Sequence, residues 1–168
     1  MENYFNRRTS DVELKDICKK LKIQLHGVFM KDELPPTLKN GNYIMNLDSS
    51  DGTGTHWVCM HKKGNQIAYF DSFGTQPPKE ATMIMKKNKK TMTYYSDKIV
   101  QDSKSNICGF YCILFLLHFK LSDGSVHDKF VKFHDIFFDN GKSINDRFGQ
   151  RNDDIVIKIF SKFFYWLF

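Results

Sequence analysis

The feature that most constrains this chain is a run of about 13 mostly apolar residues, 107–119, that follows the polar stretch "QDSKSN". The run carries two cysteines four residues apart, Cys108 and Cys112. It is shorter than the roughly 20 residues that a membrane-spanning helix needs, and so is the aromatic run at 155–168. We therefore expect no membrane span, and we predict that both runs form buried or amphipathic helices, the first over 106–121.

The rest of the sequence predicts a mixed architecture of helices and strands. Ser10 and Glu13 have the spacing of a capping box and open a predicted helix over about 10–22. Stretches rich in aromatic and β-branched residues predict four strands of one sheet. These strands lie at 42–47, 55–61, 66–70 and 92–101. Further helices are predicted at 77–90, at about 125–138 and at 153–168.

The length and the even composition predict one domain. The chain has 168 residues with neither an internal repeat nor a low-complexity linker, so residues 1–168 are expected to form a single α+β domain. The expected sheet is small and mixed, with four to five strands packed against helices.

Charge and cysteine content suggest the compartment and the partners. The formal charge of +6 suits a polyanion such as DNA, although a lysine run is also a common solubilising turn. The candidate DNA contacts are Lys86, Lys87, Lys89 and Lys90. The N-terminal residues lack the apolar segment of a secretory signal, which predicts a protein that is not secreted and whose cysteines are reduced. The cysteines are Cys18, Cys59, Cys108 and Cys112.

A structural zinc site is one interpretation of these cysteines. His56 and Cys59 could act with Cys108 and Cys112 as four ligands. Residues three apart in a strand point to opposite faces, however, and nothing in "THWVCMH" signals a turn. We therefore disfavour a metal site and interpret Cys112 as a small buried hydrophobic residue.

Cys108 has a position that suits a nucleophile. It lies where the polar stretch gives way to the helical run, so it should occupy the first turn, where the helix dipole favours a thiolate. A cysteine nucleophile also needs a base and a group that orients the base. His56 on the second predicted strand and Asp71 at the end of the third could lie side by side, with His61 as the competing base. Gln101, at the end of the fourth predicted strand, could donate its amide to an oxyanion.

At these residues the sequence resembles the adenain-like and ubiquitin-like-protein proteases, a clan of cysteine peptidases with the chain order His, Asp or Glu, Gln, Cys. The matching segments are "GTHWVCM", "AYFDSFG" and "VQDSKSNICGFYCILFLLHF", which together cover about 56–119. The seven-residue step from Gln101 to Cys108 is closer to the adenovirus maturation protease, and Asp71-Ser72 is closer to the SUMO proteases. The resemblance implies the α+β fold of that clan, with the nucleophile at the N-terminus of a central helix.

The resemblance also implies a function. It points to a virus-encoded cysteine endopeptidase that cleaves capsid or other structural precursors during virion maturation. The implied catalytic residues are Cys108, His56, Asp71 and Gln101. An isopeptidase that removes SUMO or a ubiquitin-like modifier would use the same residues. A non-catalytic DNA-binding or capsid-binding protein that retains the fold is the alternative from another class.

Substrate choice and regulation follow from the same resemblance. In the family, the tryptophan that matches Trp57 covers the scissile region, which implies glycine before the cut, although strand alternation would send Trp57 to the side opposite His56. The chemistry needs no cofactor, but activation by DNA or a viral peptide is implied. Cys18, Cys59 and Cys112 do not clearly match the cysteine that links such a peptide. We expect a monomer in the virion and the host-cell interior, either the nucleus or a cytoplasmic virus factory.

Overall fold

The computed structural model describes residues 5–87, 90–138 and 147–167. The helices in these ranges are α1 (Asp11–Lys20), α2 (Lys79–Met85), α3 (Cys108–Leu121), α4 (Val126–Asp135) and α5 (Arg147–Leu167). The strands are β1 (Leu25–Met30), β2 (Gly41–Asn46), β3 (Trp57–Lys63), β4 (Gln66–Phe70) and β5 (Met92–Tyr94). Helices and strands are interleaved along the chain, as an α+β fold requires.

The sheet contains five strands in the order β1-β2-β3-β4-β5. The two outer pairs, β1 with β2 and β4 with β5, are parallel, whereas β2, β3 and β4 are antiparallel to one another. The sheet is therefore mixed, and it packs against helices. The predicted fold class, α+β with a small mixed sheet of four to five strands, is confirmed.

Two apolar cores lie on the two faces of the sheet. The larger core includes Cys59 and Phe70 from the sheet and is covered by α1, α3, α4 and α5. The smaller core includes Val58 and Met60 and is covered by α2 and by the segment 31–40. Because successive residues of a strand point to opposite faces, β3 supplies both cores in alternation.

Helix α3 is buried almost all round, as the apolar run predicts. The exposed or half-exposed residues of this helix are confined to its last turn, at His118, Lys120 and Leu121. Its neighbours are β3, α1, α4 and α5. Cys108 is its first residue, so the nucleophile predicted from the sequence does stand at the N-terminus of a central helix.

Four local predictions differ from the structure. β1 (25–30) was not expected, because as a half-exposed edge strand it lacks a hydrophobic alternation. The fourth predicted strand stops at Tyr94, and 98–101 is irregular instead. His56 precedes β3 rather than lying on it. The last helix begins at Arg147, before the predicted residue 153.

The N-terminal helix begins as predicted. The Ser10 hydroxyl accepts from the Glu13 backbone N–H at 3.2 Å, and the Glu13 carboxylate accepts from the Ser10 backbone N–H at 2.8 Å. This reciprocal pair is the capping box. It fixes the start of α1 close to the segment that carries Arg8 and Thr9.

The basic turn after α2 is described only in part. Lys86 is exposed, and the Lys87 ammonium donates to the Pro36 carbonyl at 2.6 Å. Lys89 lies outside the described residues. A contact of this turn with DNA stays a prediction. None of the helices in the described ranges is both long enough and apolar enough to cross a membrane.

Candidate active site

His56 and Asp71 come together at one edge of the larger core. His56 lies just before β3 and Asp71 just after β4, so the antiparallel pairing of these strands brings the two side chains side by side. The His56 Nε2 lies 2.6 Å from the Asp71 Oδ1. A carboxylate only accepts hydrogen bonds, so Nε2 carries the proton. The other ring nitrogen, Nδ1, is left to face a reaction partner.

The Asp71 carboxylate is buried and its oxygens are fully engaged. Besides His56, Oδ1 accepts from the Phe73 backbone N–H at 2.8 Å. Oδ2 accepts from the Thr75 backbone N–H at 3.2 Å and also from the Thr75 hydroxyl. These donors compensate for the loss of water and fix the carboxylate in one orientation. The ring of Phe73 stacks on the imidazole of His56, with centroids 4.7 Å apart.

Cys108 is the third member of this group. It hydrogen-bonds with the His56 side chain and is 5% exposed. As the first residue of α3, its sulfur lies at the positive end of the helix dipole. The structure thus brings together Cys108, His56 and Asp71, the three residues that the sequence singled out. Their catalytic roles belong to the proposal below.

The electrostatics favour an ion pair between His56 and Asp71. Burial acts to lower the pKa of His56, but the hydrogen bonds and negative charges of Asp71 and Cys108 outweigh it and raise the pKa to about 9. Burial acts in the opposite direction on Asp71, where the contacts with His56 and Thr75 hold the pKa of the carboxyl below its ordinary value. Near neutral pH His56 is therefore an imidazolium held by the carboxylate of Asp71.

Gln101 is buried in the same region, and its amide is engaged at both ends. The carbonyl oxygen Oε1 accepts from the Ser72 hydroxyl at 2.6 Å. The Nε2 lies 2.9 Å from the Ser105 hydroxyl and 3.1 Å from the Ser105 carbonyl. Ser72 follows Asp71 and Ser105 precedes Cys108 by three residues, so Gln101 bridges the two parts of the site. Its oxyanion role stays a prediction.

Trp57 lies on the same side of the sheet as Cys108. Its indole Nε1 donates to the Thr9 carbonyl at 2.7 Å, and both Trp57 and Cys108 contribute to the larger core. The alternation that would separate Trp57 from His56 does not apply, because His56 lies outside the strand. The indole is 8% exposed and lines the cleft beside Cys108, so it is both a core residue and a cleft residue.

This cleft has a volume of about 400 Å³. One wall comes from residues 8–11 and the other from residues 50–55. The Arg8 guanidinium donates to the Gly54 carbonyl at 3.1 Å and so joins the two walls. Gly54 has a φ of +86°, a conformation that other residues rarely adopt. Because Gly52 and Gly54 carry no side chain, backbone atoms form part of this wall.

The other candidates from the sequence take different positions. His61, the competing base, lies 2.7 Å from the side-chain oxygen of Asn42, an amide rather than a carboxylate. Burial and the nearby Lys129 and Lys63 lower its pKa to about 4. The Cys59 thiol contacts the Cys112 carbonyl at 3.7 Å. Among the described residues, no three His, Cys, Asp or Glu side chains cluster as metal ligands.

Sequence reasoning missed the residues that hold the site in place. Thr75 contacts Asp71, and Ser105 contacts Gln101. Asp153 of α5 accepts a hydrogen bond from the backbone N–H of Asp102, in the loop that carries Gln101. The stretch "DSFGT" does carry a signal, because an aspartate followed by glycine typically forms a turn around its own carboxylate. Asp153 has no local signal, since its partners are about 50 residues away in the sequence.

The fold class defined by these elements is an α+β domain with a cysteine at the start of its central helix. No family model matches this sequence, and no curated protein matches it. Among solved structures, the chain is similar to the ASFV pS273R protease at 21% identity, over 67% of this chain, with a TM-score of 0.38. That match spans 43% of the protease's own chain.

Proposed function

We propose that this protein is a cysteine peptidase with Cys108 as its nucleophile. The observation that carries the proposal is the position of His56, which hydrogen-bonds on one side with the buried carboxylate of Asp71 and on the other with Cys108 at the N-terminus of α3. A nucleophile, a base and a group that orients the base are the parts that thiol-based acyl transfer requires.

The proposed chemistry starts from Cys108 as a thiolate beside the His56 imidazolium. The Cys108 thiolate attacks the carbonyl carbon of the scissile peptide and forms a tetrahedral oxyanion. The His56 imidazolium gives its Nδ1 proton to the leaving amine, and collapse of the intermediate leaves a thioester on Cys108. Neutral His56 then takes a proton from water, which hydrolyses the thioester and regenerates the thiolate. Asp71 keeps the proton on Nε2 throughout, so that Nδ1 faces the reacting atoms.

Gln101 is the proposed oxyanion donor, together with the first-turn backbone N–H of Cys108. The Gln101 amide has two hydrogens. One hydrogen shared between the two oxygens of Ser105 satisfies both observed contacts and leaves the second for the substrate. Because the amide oxygen is held by Ser72, the NH₂ end cannot exchange places with it without losing that bond.

The proposed substrate is an extended peptide segment with glycine before the scissile bond. The cleft beside Cys108 is bounded by the Trp57 indole and by the Gly52–Gly54 segment, and the Arg8 contact with Gly54 narrows it. A residue without a β-carbon suits such a slot and adopts the backbone angles that it demands. The resemblance in sequence motifs suggests a viral capsid or structural precursor as the source of that peptide.

Regulation and location stay predictions of the sequence. Activation by DNA would use the basic turn at Lys86, Lys87, Lys89 and Lys90, and activation by a viral peptide would need a further contact surface. The expected locations are the virion and the nucleus or cytoplasmic virus factory of the host cell. A monomeric state is likewise an expectation.

A peptide library and two cysteine variants test the proposal. We expect the wild-type protein to cleave library peptides after glycine and Cys108→Ala to cleave none of them. Cys112→Ala, on the same helix and equally buried, is the matched control and should retain activity. Iodoacetamide should modify Cys108 before the other thiols, because it lines the cleft and has His56 as a partner.

Other results would change the assignment. Equal cleavage by Cys108→Ala would remove the nucleophile assignment. Reaction with a vinyl-sulfone derivative of a ubiquitin-like modifier, without cleavage of capsid-type peptides, would indicate an isopeptidase instead. No cleavage together with slow alkylation of Cys108 would indicate a non-catalytic binding protein. Preference for a bulky residue before the cut would exclude the narrow slot at Trp57.

A further inference from the structure

Helix α5 lies outside the segments that carry the resemblance, yet it brings a buried acid close to the site. Asp153 is 5% exposed. Its Oδ1 accepts from the Tyr111 hydroxyl at 2.7 Å and from the Asp102 backbone N–H at 3.3 Å. The Ser105 hydroxyl is a further hydrogen-bond partner of this carboxylate. Asp153 therefore touches both the nucleophile helix and the loop that precedes it.

The loop 100–105 is held against α5 by two more features. The Asn152 amide donates to the Val100 carbonyl at 2.9 Å. At Gly149, an added β-carbon would lie 2.8 Å from the Asp102 Cα and 2.9 Å from its backbone nitrogen. A glycine at this position is what lets the helix approach the loop so closely. The loop that carries Gln101 is thus fixed from the α5 side.

The hydrogen bonds in this region form one chain with a defined direction. Burial raises the pKa of Asp153, whereas the hydrogen bonds that the Tyr111 and Ser105 hydroxyls donate to its carboxylate favour the ionised form. Once the Ser105 hydroxyl has donated, its oxygen is left to accept, and its nearest donor is the Gln101 Nε2 at 2.9 Å. The Gln101 Oε1 is then the end that accepts from Ser72.

We propose that Asp153 is a positioning residue for Gln101 and that, together with the Ser105 carbonyl, it sets which end of the Gln101 amide faces the reacting carbonyl. This inference rests on the proposed function. The reason is electrostatic: an amide turned the other way would present its oxygen to the oxyanion and repel it. A fixed acceptor at the end of the chain of hydrogen bonds favours the productive orientation before substrate arrives.

The test is a double-mutant cycle between Asp153 and Gln101. We expect Asp153→Ala to lower kcat by about 10-fold with KM nearly unchanged, which is less than the roughly 10²- to 10³-fold loss for a deleted oxyanion donor. In a Gln101→Ala background the same substitution should cost nothing further, because the group that it positions is gone. Alkylation of Cys108 by iodoacetamide, which forms no oxyanion, should keep its wild-type rate.

Two other variants keep the test decisive. Asp154→Ala changes the next residue of α5, which is exposed, and should leave kcat unchanged. Ser105→Ala removes the middle of the chain of hydrogen bonds on a half-exposed loop residue and should reproduce the kcat loss if Asp153→Ala fails to fold. The NMR signals of the Gln101 side-chain amide should shift in Asp153→Ala and Ser105→Ala but not in Asp154→Ala, whether or not a substrate is known.

The inference is overturned by any of three results. Unchanged Gln101 amide signals in Asp153→Ala would show that the two residues are not connected. An equal loss of kcat with and without Gln101 would mean that Asp153 only stabilises the domain. Normal turnover of Asp153→Ala beside an inactive Cys108→Ala would remove the positioning role while leaving the peptidase assignment intact.

Discussion

Two partly buried histidines lie just before β3 and within it, each beside an aromatic ring, yet they differ completely in charge. His56, before the strand, has the carboxylate of Asp71 as its partner and a pKa raised to about 9. His61, inside the strand, has the amide oxygen of Asn42 as its partner and a pKa lowered to about 4. At neutral pH the first is a cation and the second is neutral.

The difference shows that the partner, rather than burial, decides the chemistry of a histidine in this fold. Burial lowers the pKa of both rings. At His56 two negative groups reverse that effect, whereas at His61 the nearest charges are the lysines Lys129 and Lys63, which add to it. The strand position alone could not separate the two candidates for the base.

The largest expected effect is on turnover. His56→Ala should lower kcat by about 10²- to 10⁴-fold, because it removes the proposed general acid and base. His61→Ala should keep nearly the wild-type rate while losing about 1 to 2 kcal/mol of stability, through its hydrogen bond to Asn42 and its contact with Phe119. Peptide hydrolysis and urea unfolding measure the two outcomes, and a comparable kcat loss in both variants would contradict the comparison.

An exchange of partners should move the two pKa values toward each other. Asp71→Asn replaces the carboxylate beside His56 by an amide and should lower the His56 pKa by about 1 to 3 pH units. Asn42→Asp should raise the His61 pKa from about 4 by a similar amount. NMR titration of the imidazole protons checks both. A His56 pKa that stays near 9 in Asp71→Asn would show that Cys108 alone holds the proton there.

The smallest expected effect is on the pH dependence of stability. The folded-state pKa of His56 is raised above the ordinary 6.5, so its contribution is present below pH 6.5 and is lost as the pH rises through about 9. The folded-state pKa of His61 is depressed to about 4, so stability falls as the pH drops from 6.5 toward 4, where the unfolded chain takes up the proton. Each effect should amount to at most about 3 kcal/mol.

Substitutions at His56 and His61 separate the alkaline and acid effects on stability. Urea unfolding across pH 4 to 9 measures the free energy of unfolding at each pH. This free energy should change less with pH on the acid side in His61→Gln and on the alkaline side in His56→Gln. If either variant keeps the wild-type dependence of the free energy of unfolding on pH in both ranges, groups other than that histidine dominate the pH dependence.

The parts of the fold that depend on local pattern could be predicted from the sequence. The apolar run of α3 and the capping box at Ser10 are signals contained within one segment, and both elements form. β1 could not be predicted, because an edge strand half exposed on both faces carries no alternation. The irregular segment 98–101 resembles a strand in composition, but the backbone N–H groups of Val100 and Gln101 both donate to the Ser72 carbonyl.

The site was predictable to a similar degree. The proximity of His56, Asp71 and Cys108 follows from residue types that chemistry constrains and from strand ends that must meet. The hydrogen bonds around Gln101 were not predictable, since they involve hydroxyl and carboxyl groups contributed by Ser72, Ser105 and Asp153 from three separate segments. Serines are too common in loops for their positions to signal such contacts.

The burial of α3 on all sides has a consequence for the way activity is lost. The helix that carries Cys108 touches the sheet and three other helices at once, so the thiol cannot leave its place by a local movement of one loop. Opening the site means exposing the larger core, which is the global unfolding of the domain. The Cys108 thiol is therefore expected to keep its position until the temperature at which the domain unfolds.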